Sequence, residues 1–351
     1  MKLEASDQRS SVALRGLWVT ALCMATTLTA GSAFSQAVDQ FYAGKQIKLI
    51  IGTSTGGGYD TNARLLARYY GSHIPGNPVI VPQNMPGAGG IRASSFLYSS
   101  APEDGTVIGI VDSSNVVGPL FEKARDQFDP AKVKWVGSIG PEPSLCVSWH
   151  EAPVKTTDDF LKKDFIVGGS GAGGQLEIYP RVLNAILGTR MKVISGYAGG
   201  NDVVLAMERG EVQGRCGWSY SGILSTRPNW VKEKKLNFLI QLGGKNSELP
   251  NVPVVTDLVT SQEHKDVLNI IFADRQVQRA FFAPPGIPEA QLEILRKAFL
   301  DTMRDPNFIA DAERIGLAPA PTPGAEVQAI VERLYQSSPK IIDTAAKILG
   351  K

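Results

Sequence analysis

The chain has 351 residues, 43% of them hydrophobic and 20% charged, with a formal net charge of +2. This is an ordinary globular composition, long enough for two domains. Near-neutral charge without a Lys/Arg run interleaved with aromatics argues against nucleic acid as a partner, and no stretch reaches the roughly 18 apolar residues of a membrane span.

The N-terminus reads separately. Lys2, Arg9 and Arg15 precede an apolar segment over residues 17–30, and small residues follow through Ala33 and Ser35-Gln36-Ala37. That is the three-part layout of a secretory signal peptide covering residues 1–37, with cleavage between Ala33 and Ala37. An uncleaved anchor is the alternative. Cys23 lies inside the apolar segment, behind a poor lipobox. Removal of the segment leaves Cys146 and Cys216 in an oxidising compartment, where an even count permits one disulfide.

Residues 47–51 form an apolar, β-branched run and predict a strand. A turn rich in glycine and hydroxyl groups follows, then Leu65, Leu66, Tyr69 and Tyr70 at helical spacing. Strand, Gly-rich turn and helix open an α/β unit. Gly56, Gly57 and Gly58 let the backbone approach a guest and turn its N–H groups inward. The helix start adds unpaired N–H groups and the positive end of its dipole. The result is an anion seat that suits a carboxylate as well as a phosphate, or a tight turn with no ligand. Asp60 or Thr61 is the expected N-cap.

Residues 73–78 break this helix with two prolines. A strand over 79–81, a second Gly-rich turn over 83–90 and a helix over 91–99 come next. The strand over 107–111 ends in Asp112-Ser113-Ser114-Asn115, a polar group at the edge where open α/β sheets bind ligands, or a cap on the next helix. Strands over 135–139 and 145–149 are separated by Gly140-Pro141-Glu142-Pro143, which suits a hinge between lobes.

The second half repeats the logic. A strand over 165–167 leads into a glycine turn over 168–174 and a helix over 175–187. A strand over 191–194 leads into a turn over 196–202 and a helix over 203–209. Strands are expected over 212–216 and 236–242, and closing helices over 290–303 and 325–335.

Chemistry is poorly supplied. Gly169, Gly171 and Gly174 fit G-x-G-x-x-G, but the next strand ends without the acid that a dinucleotide ribose wants. His73, His150 and His264 sit in unrelated contexts, and Ser170 is not in a nucleophile elbow. No catalytic residue, cofactor or metal is expected.

Five motifs then recur in order: residues 47–60, Asn84-Met85-Pro86-Gly87-Ala88-Gly89, Ala101-Pro102-Glu103-Asp104-Gly105-Thr106, Tyr197-Ala198-Gly199-Gly200 and residues 282–288. From about residue 41 to the C-terminus the chain resembles the periplasmic substrate-binding proteins of tripartite tricarboxylate transporters, the TctC or Bug family. The resemblance implies a type II periplasmic-binding-protein fold: two α/β lobes, two crossing strands and a ligand cleft between the lobes. Lobe 1 would comprise residues 38–142 and 276–351, and lobe 2 residues 143–275. It also implies a monomer in the periplasm that captures a small organic acid for membrane permease subunits. A sensor on the same scaffold, or less readily a hydrolase, is the alternative.

Carried onto this chain, the family's first loop is Thr53, Ser54, Thr55, Gly57, Gly58, Tyr59 and Asp60. The strand end is Ser113, Ser114 and Asn115. The facing loops are Ser170, Gly171 and Ala172, and Tyr197, Gly199, Gly200, Asn201 and Asp202. The chain departs from the family at Gly52-Thr53-Ser54-Thr55, where Pro-Phe-Pro-Pro is usual, at Tyr59, where a small hydroxyl residue is usual, and at Glu177, where a His is frequent. Neither principal loop carries Lys or Arg, so no salt bridge from these loops to the ligand is expected; Arg92 and Arg181 are the nearby cations. The implied topology also sets the strand carrying Cys146 beside that carrying Cys216, which would allow a disulfide.

Overall fold

Two sheets divide the chain in the computed structural model, which describes residues 40–121 and 127–351. The expected signal peptide lies outside the described residues. In chain order the strands are β1 (Gln46–Ile51), β2 (Val79–Asn84), β3 (Val107–Ile110), β4 (Lys134–Ser138), β5 (Ser144–Trp149), β6 (Asp164–Gly168), β7 (Arg190–Ile194), β8 (Gly214–Ser219), β9 (Leu236–Leu242), β10 (Ala280–Ala283) and β11 (Thr322–Pro323). The first sheet has the order β11-β4-β10-β3-β1-β2 and the second β7-β6-β8-β5-β9. Each mixes parallel and antiparallel pairs, as in a two-lobed α/β protein.

β1 shows why the first sheet forms. It pairs in parallel with β2 on one side and β3 on the other. Alternate side chains leave opposite faces of a strand. Ile47, Leu49 and Ile51 accordingly pack with Leu65 and Leu66 of helix Gly58–Tyr70, while Ile50 packs with Ala93 and Leu97 of helix Ile91–Ser99. Both faces are covered, so the strand reads as a continuous apolar run.

The chain crosses between sheets twice. It passes from β4 to β5 through residues 139–143 and returns from helix Gln262–Ile271 to β10 through residues 272–279. At the return, Asp274 and Arg275 form an ion pair at 2.6 Å, both fully buried. Asp274 also accepts from Tyr179 at 2.9 Å and from Ser113 at 3.0 Å. Four elements therefore meet on one carboxylate, and removing one partner of such a pair strands the other charge out of water.

Several elements differ from the sequence expectation. β8 begins and ends later than residues 212–216, because its pairing with β5 and β6 sets its limits where periodicity does not. Helices Thr157–Lys162, Gln262–Ile271, Pro306–Arg314 and Pro339–Ile348 were not expected. The last of these places Ala345, with Leu349 just beyond it, in the second sheet's core.

Cys146 lies opposite Cys216 across β5 and β8, and their sulfurs are bonded. The two residues are 70 apart in sequence and wholly buried. Closing a loop of that length removes about 4 kcal/mol of unfolded-state entropy in the chain-entropy description. Cys146→Ala/Cys216→Ala should therefore lower the urea midpoint by the equivalent of about 3–4 kcal/mol, and reductant should then cease to affect the midpoint. An unchanged midpoint would show that the bond does not hold the lobe together.

Candidate functional site

The loop after β1 runs straight into helix Gly58–Tyr70. Its N-cap is Gly57, with extended backbone and no side-chain cap, rather than Asp60 or Thr61 as the sequence suggested. The three glycines let the helix start early, so Asp60 falls in the first turn and reaches back. One Asp60 oxygen accepts from Gly56 N at 2.9 Å; the other accepts from Asn84 Nδ2 at 2.8 Å and Arg64 Nε at 2.9 Å. Asp60 therefore braces the loop and leaves the helix-start N–H groups uncapped.

The facing lobe does the same twice. Helix Gln175–Leu187 has Gly174 as N-cap, and helix Gly200–Glu208 has Gly199; neither has a side-chain cap. Gly57, Gly58, Gln175, Leu176, Gly199 and Gly200 all line one cleft between the lobes. Three glycine-capped helix starts thus direct unpaired N–H groups and positive dipole ends at one space. Such a site suits an anion.

The cleft is drawn nearly shut. Ser54 Oγ donates to Asp202 at 2.5 Å, and Gly89 N donates to Ser170 O at 3.0 Å. Ser114 Oγ lies 2.8 Å from Gly173 O. Gly89 has a φ of +68°, and a Cβ there would strike the Gly174 backbone. Glycine is thus required on both counts. The free space is about 50 Å³, enough for a few waters, so a dicarboxylate can enter only when the lobes part.

The residues expected at the site divide into walls and braces. Thr53, Gly57, Gly58, Tyr59, Ser170, Gly199, Gly200 and Asn201 line the cleft. Ser54 and Asp202 form the latch, and Thr55 O accepts from Asn201 at 3.5 Å beside it. Ser113 meets the Tyr59 hydroxyl and Asp274, and Asn115 Nδ2 donates to Gly89 O at 2.9 Å. These strand-end residues hold loops in place. Gly171 N donates to Glu177 at 2.7 Å, and the Tyr197 hydroxyl donates to Glu211 at 3.3 Å. Neither these two nor Ala172 is a wall of the cleft.

The cleft's charged walls were not in the sequence reading. They are Asp112, Arg215 and Arg279. Arg279 pairs with Glu142 at 2.9 Å and donates to the Ser219 and Ser221 hydroxyls at 2.7 Å each. Arg215, on β8, is 5% exposed and has no carboxylate partner. Its Nη1 donates to Gly200 O at 2.8 Å and its Nη2 to Gly217 O at 3.0 Å. Burial pushes its pKa down to about 9, against the attraction of Asp112 and Tyr59. Burial likewise pushes the Asp112 carboxyl and the Tyr59 hydroxyl up. Arg92 does not line the cleft, and Arg181 pairs with Glu177 at 3.3 Å outside it. A charged residue between glycines in a strand buried throughout is a usable sequence signal, since such a residue is rarely fully buried without a partner. Among the described residues no three His, Cys, Asp or Glu side chains group as a metal site.

Comparison with known proteins fits this geometry. The family described as the tripartite tricarboxylate transporter family receptor, TctC, matches residues 63–345. A UPF0065 protein from the gbd 5' region of Cupriavidus necator is 25% identical over 299 residues, covering 81% of this chain and 83% of that protein. A structure of the periplasmic binding protein BugD superposes with a TM-score of 0.70 at 18% identity, covering 88% of this chain and 98% of that one. MatC from Rhodopseudomonas palustris with bound malate gives 0.67 at 18% identity, covering 87% and 99%. A further R. palustris protein, with adipate, gives 0.66 at 18% identity, covering 87% and 97%.

Asp112 supplies a pH test. Its folded pKa is raised by burial, so its charge costs stability above that value, and the cost disappears as pH falls below the ordinary carboxylate range. Asp112→Asn should raise Tm at pH 7.5, and the gain should shrink as pH is lowered towards 4. A gain independent of pH would mean that burial of this charge is not its source.

Proposed function

The chain belongs to the tripartite tricarboxylate transporter receptor family, and from that premise we propose that it captures a small organic acid in the inter-lobe cleft and presents it to the membrane permease subunits of such a transporter. The observation that carries the reading is the convergence of three uncapped helix starts on one cleft. We place the protein in the periplasm after loss of residues 1–37, acting as a monomer by binding alone. The lobes are assigned to residues 38–142 with 276–351, and to residues 143–275.

The energetics are adequate. A carboxylate gains about 1.5–3 kcal/mol for each hydrogen bond it accepts as a charged group. Ordering and desolvation offset part of this. Two or three amides and a hydroxyl are enough for micromolar affinity, about −8 kcal/mol. The structurally similar proteins bound to malate and adipate support an acid as the ligand class.

The test is a thermal-shift screen of mature protein, beginning near Val38 and shown by native mass spectrometry to be ligand-free, against mono-, di- and tricarboxylates, neutral sugars and amines. At about 100 times Kd, binding to the folded state alone adds about 2.7 kcal/mol and raises Tm. A shift with acids is expected; a shift only with sugars or amines would overturn the reading.

The latch gives a second prediction. Ser54→Ala removes a hydrogen bond to a carboxylate that forms only when the lobes meet. A loss of about 1–2 kcal/mol should weaken the acid's binding about tenfold in calorimetry and leave the ligand-free Tm unchanged. Equal affinity would show that this contact does not contribute to closure.

A further inference from the structure

Nine buried side-chain polar atoms among the described residues have no hydrogen-bond partner, and four of them belong to walls of the cleft. They are Arg215 Nε, Gln175 Oε1, Thr53 Oγ1 and Gln278 Oε1. Buried polar atoms in a folded protein are nearly always paired. A group of unpaired ones around one cavity marks a place where something else supplies the partners.

Arg215 is the sharpest of the four. Its guanidinium has five N–H donors. The two hydrogen bonds it makes go to backbone carbonyls, Gly200 O and Gly217 O, which fix the plane of the group but do not neutralise it. The Trp218 ring lies 4.8 Å from its Cζ. A Cβ on Gly200 would collide with the guanidinium, so glycine there leaves room for the arginine. Gln175 lies against Gly217, the residue whose carbonyl holds Nη2. Arg215 and Gln175 therefore share one side of the cleft, on lobe 2.

A lone buried cation is costly unless an anion joins it. The protein's own acids do not fill that role. Glu142 is committed to Arg279, Asp274 to Arg275 and Asp202 to Ser54. Asp112 shares the cleft, but one of its oxygens is held by Ser114 N at 3.0 Å and Ser114 Oγ at 2.7 Å, and it forms no ion pair with Arg215. The depressed pKa of Arg215 is the expected sign of burial without a counter-ion.

We propose that Arg215 is a specificity-determining residue that pairs with a second acidic group of the ligand, so that the cleft selects molecules with two carboxylates over those with one. The first carboxylate sits on the amides of the glycine-capped helix starts, and the second on Arg215 Nε with Gln175 beside it. The proposal rests on the reading of the cleft as an organic-acid site and adds a charge requirement to it. Unlike the helix ends, which serve any anion, a fixed guanidinium discriminates by count of charges and by planar geometry.

The test compares each diacid with its monoamide, which keeps the shape and removes one charge: succinate with succinamate, glutarate with glutaramate and adipate with adipamate. Calorimetry on the mature full-length protein should show at least one diacid binding about thirtyfold or more tighter than its monoamide, the loss seen when one partner of a buried hydrogen-bonded charge pair is removed. In Arg215→Gln the diacid should weaken to about the level of the monoamide, and the monoamide should change little. Arg215→Lys, which keeps charge but loses Nε and the planar fork, should fall between. Should Arg215→Gln fail to fold, the wild-type comparison and Arg215→Lys still decide the matter. Equal binding of diacid and monoamide by wild type, or undiminished discrimination in Arg215→Gln, would overturn the role of Arg215 and leave the acid-binding function standing. If no acid of either kind binds, the function itself is wrong, and this proposal falls with it.

Discussion

Backbone N–H groups in the first turn of an α-helix have no partner within the helix, and this fold brings three such starts to one cleft. The glycines are the condition for it. A serine or aspartate cap at position 57, 174 or 199 would satisfy the first-turn amides from within, and the site would lose its donors. At Gly199 a side chain would also run into Ser54, and at Gly174 into Ser170. The same choice therefore leaves the donors free and lets the lobes approach.

Around these donors stands a shell of side chains that do not face the cleft. Asp60 and Asn84 hold the first loop by four hydrogen bonds between 2.8 and 2.9 Å. Asn115 holds the second through Gly89, and Ser113 ties the Tyr59 hydroxyl to the Asp274–Arg275 pair at the return crossing. A loop carrying several glycines is floppy by nature. These braces fix it without using its amides, and the donors are preorganised before any ligand arrives. Tyr59 thus belongs to both the wall and the hinge, which couples the first loop to the segment joining the lobes.

Much of this was legible in the sequence. The Gly-rich turn after β1, the polar group after β3 and the turns over 168–174 and 196–202 all lie at or beside the cleft, because local rules place turns at strand ends and α/β folds gather those ends. Which polar residues face inward was not legible. Asp60, Ser113 and Asn115 are the residue types expected on a ligand, yet they spend their hydrogen-bonding capacity on backbone. Arg215, Gln278 and Arg279 come from a strand and a crossing whose place beside the cleft is set by pairing between β5 and β8 and by the return to β10. No local pattern carries that information. The nearest signal was a charged residue between two glycines in Gly214-Arg215-Cys216-Gly217, in a strand otherwise free of charge.

Amide donors and a guanidinium make different demands on the apo protein. Unpaired helix-start amides lose little while the cleft is open, since water reaches them. A guanidinium on a central strand is buried whether or not a ligand is present, and Arg215 bears a lasting cost that its two carbonyl contacts only partly offset. Such a residue lowers stability in the free protein and returns the difference when an anion arrives. Closure strengthens that return, because shutting the lobes removes water from between the charges and lowers the local dielectric. An anion that reaches Arg215 thus gains most in the closed form and little in the open one. Differential affinity of this kind is the requirement for a ligand to shift the balance between two conformations. The amides can hold an acid in either state, whereas the arginine rewards the closed state, so the charge on β8 links recognition to lobe closure.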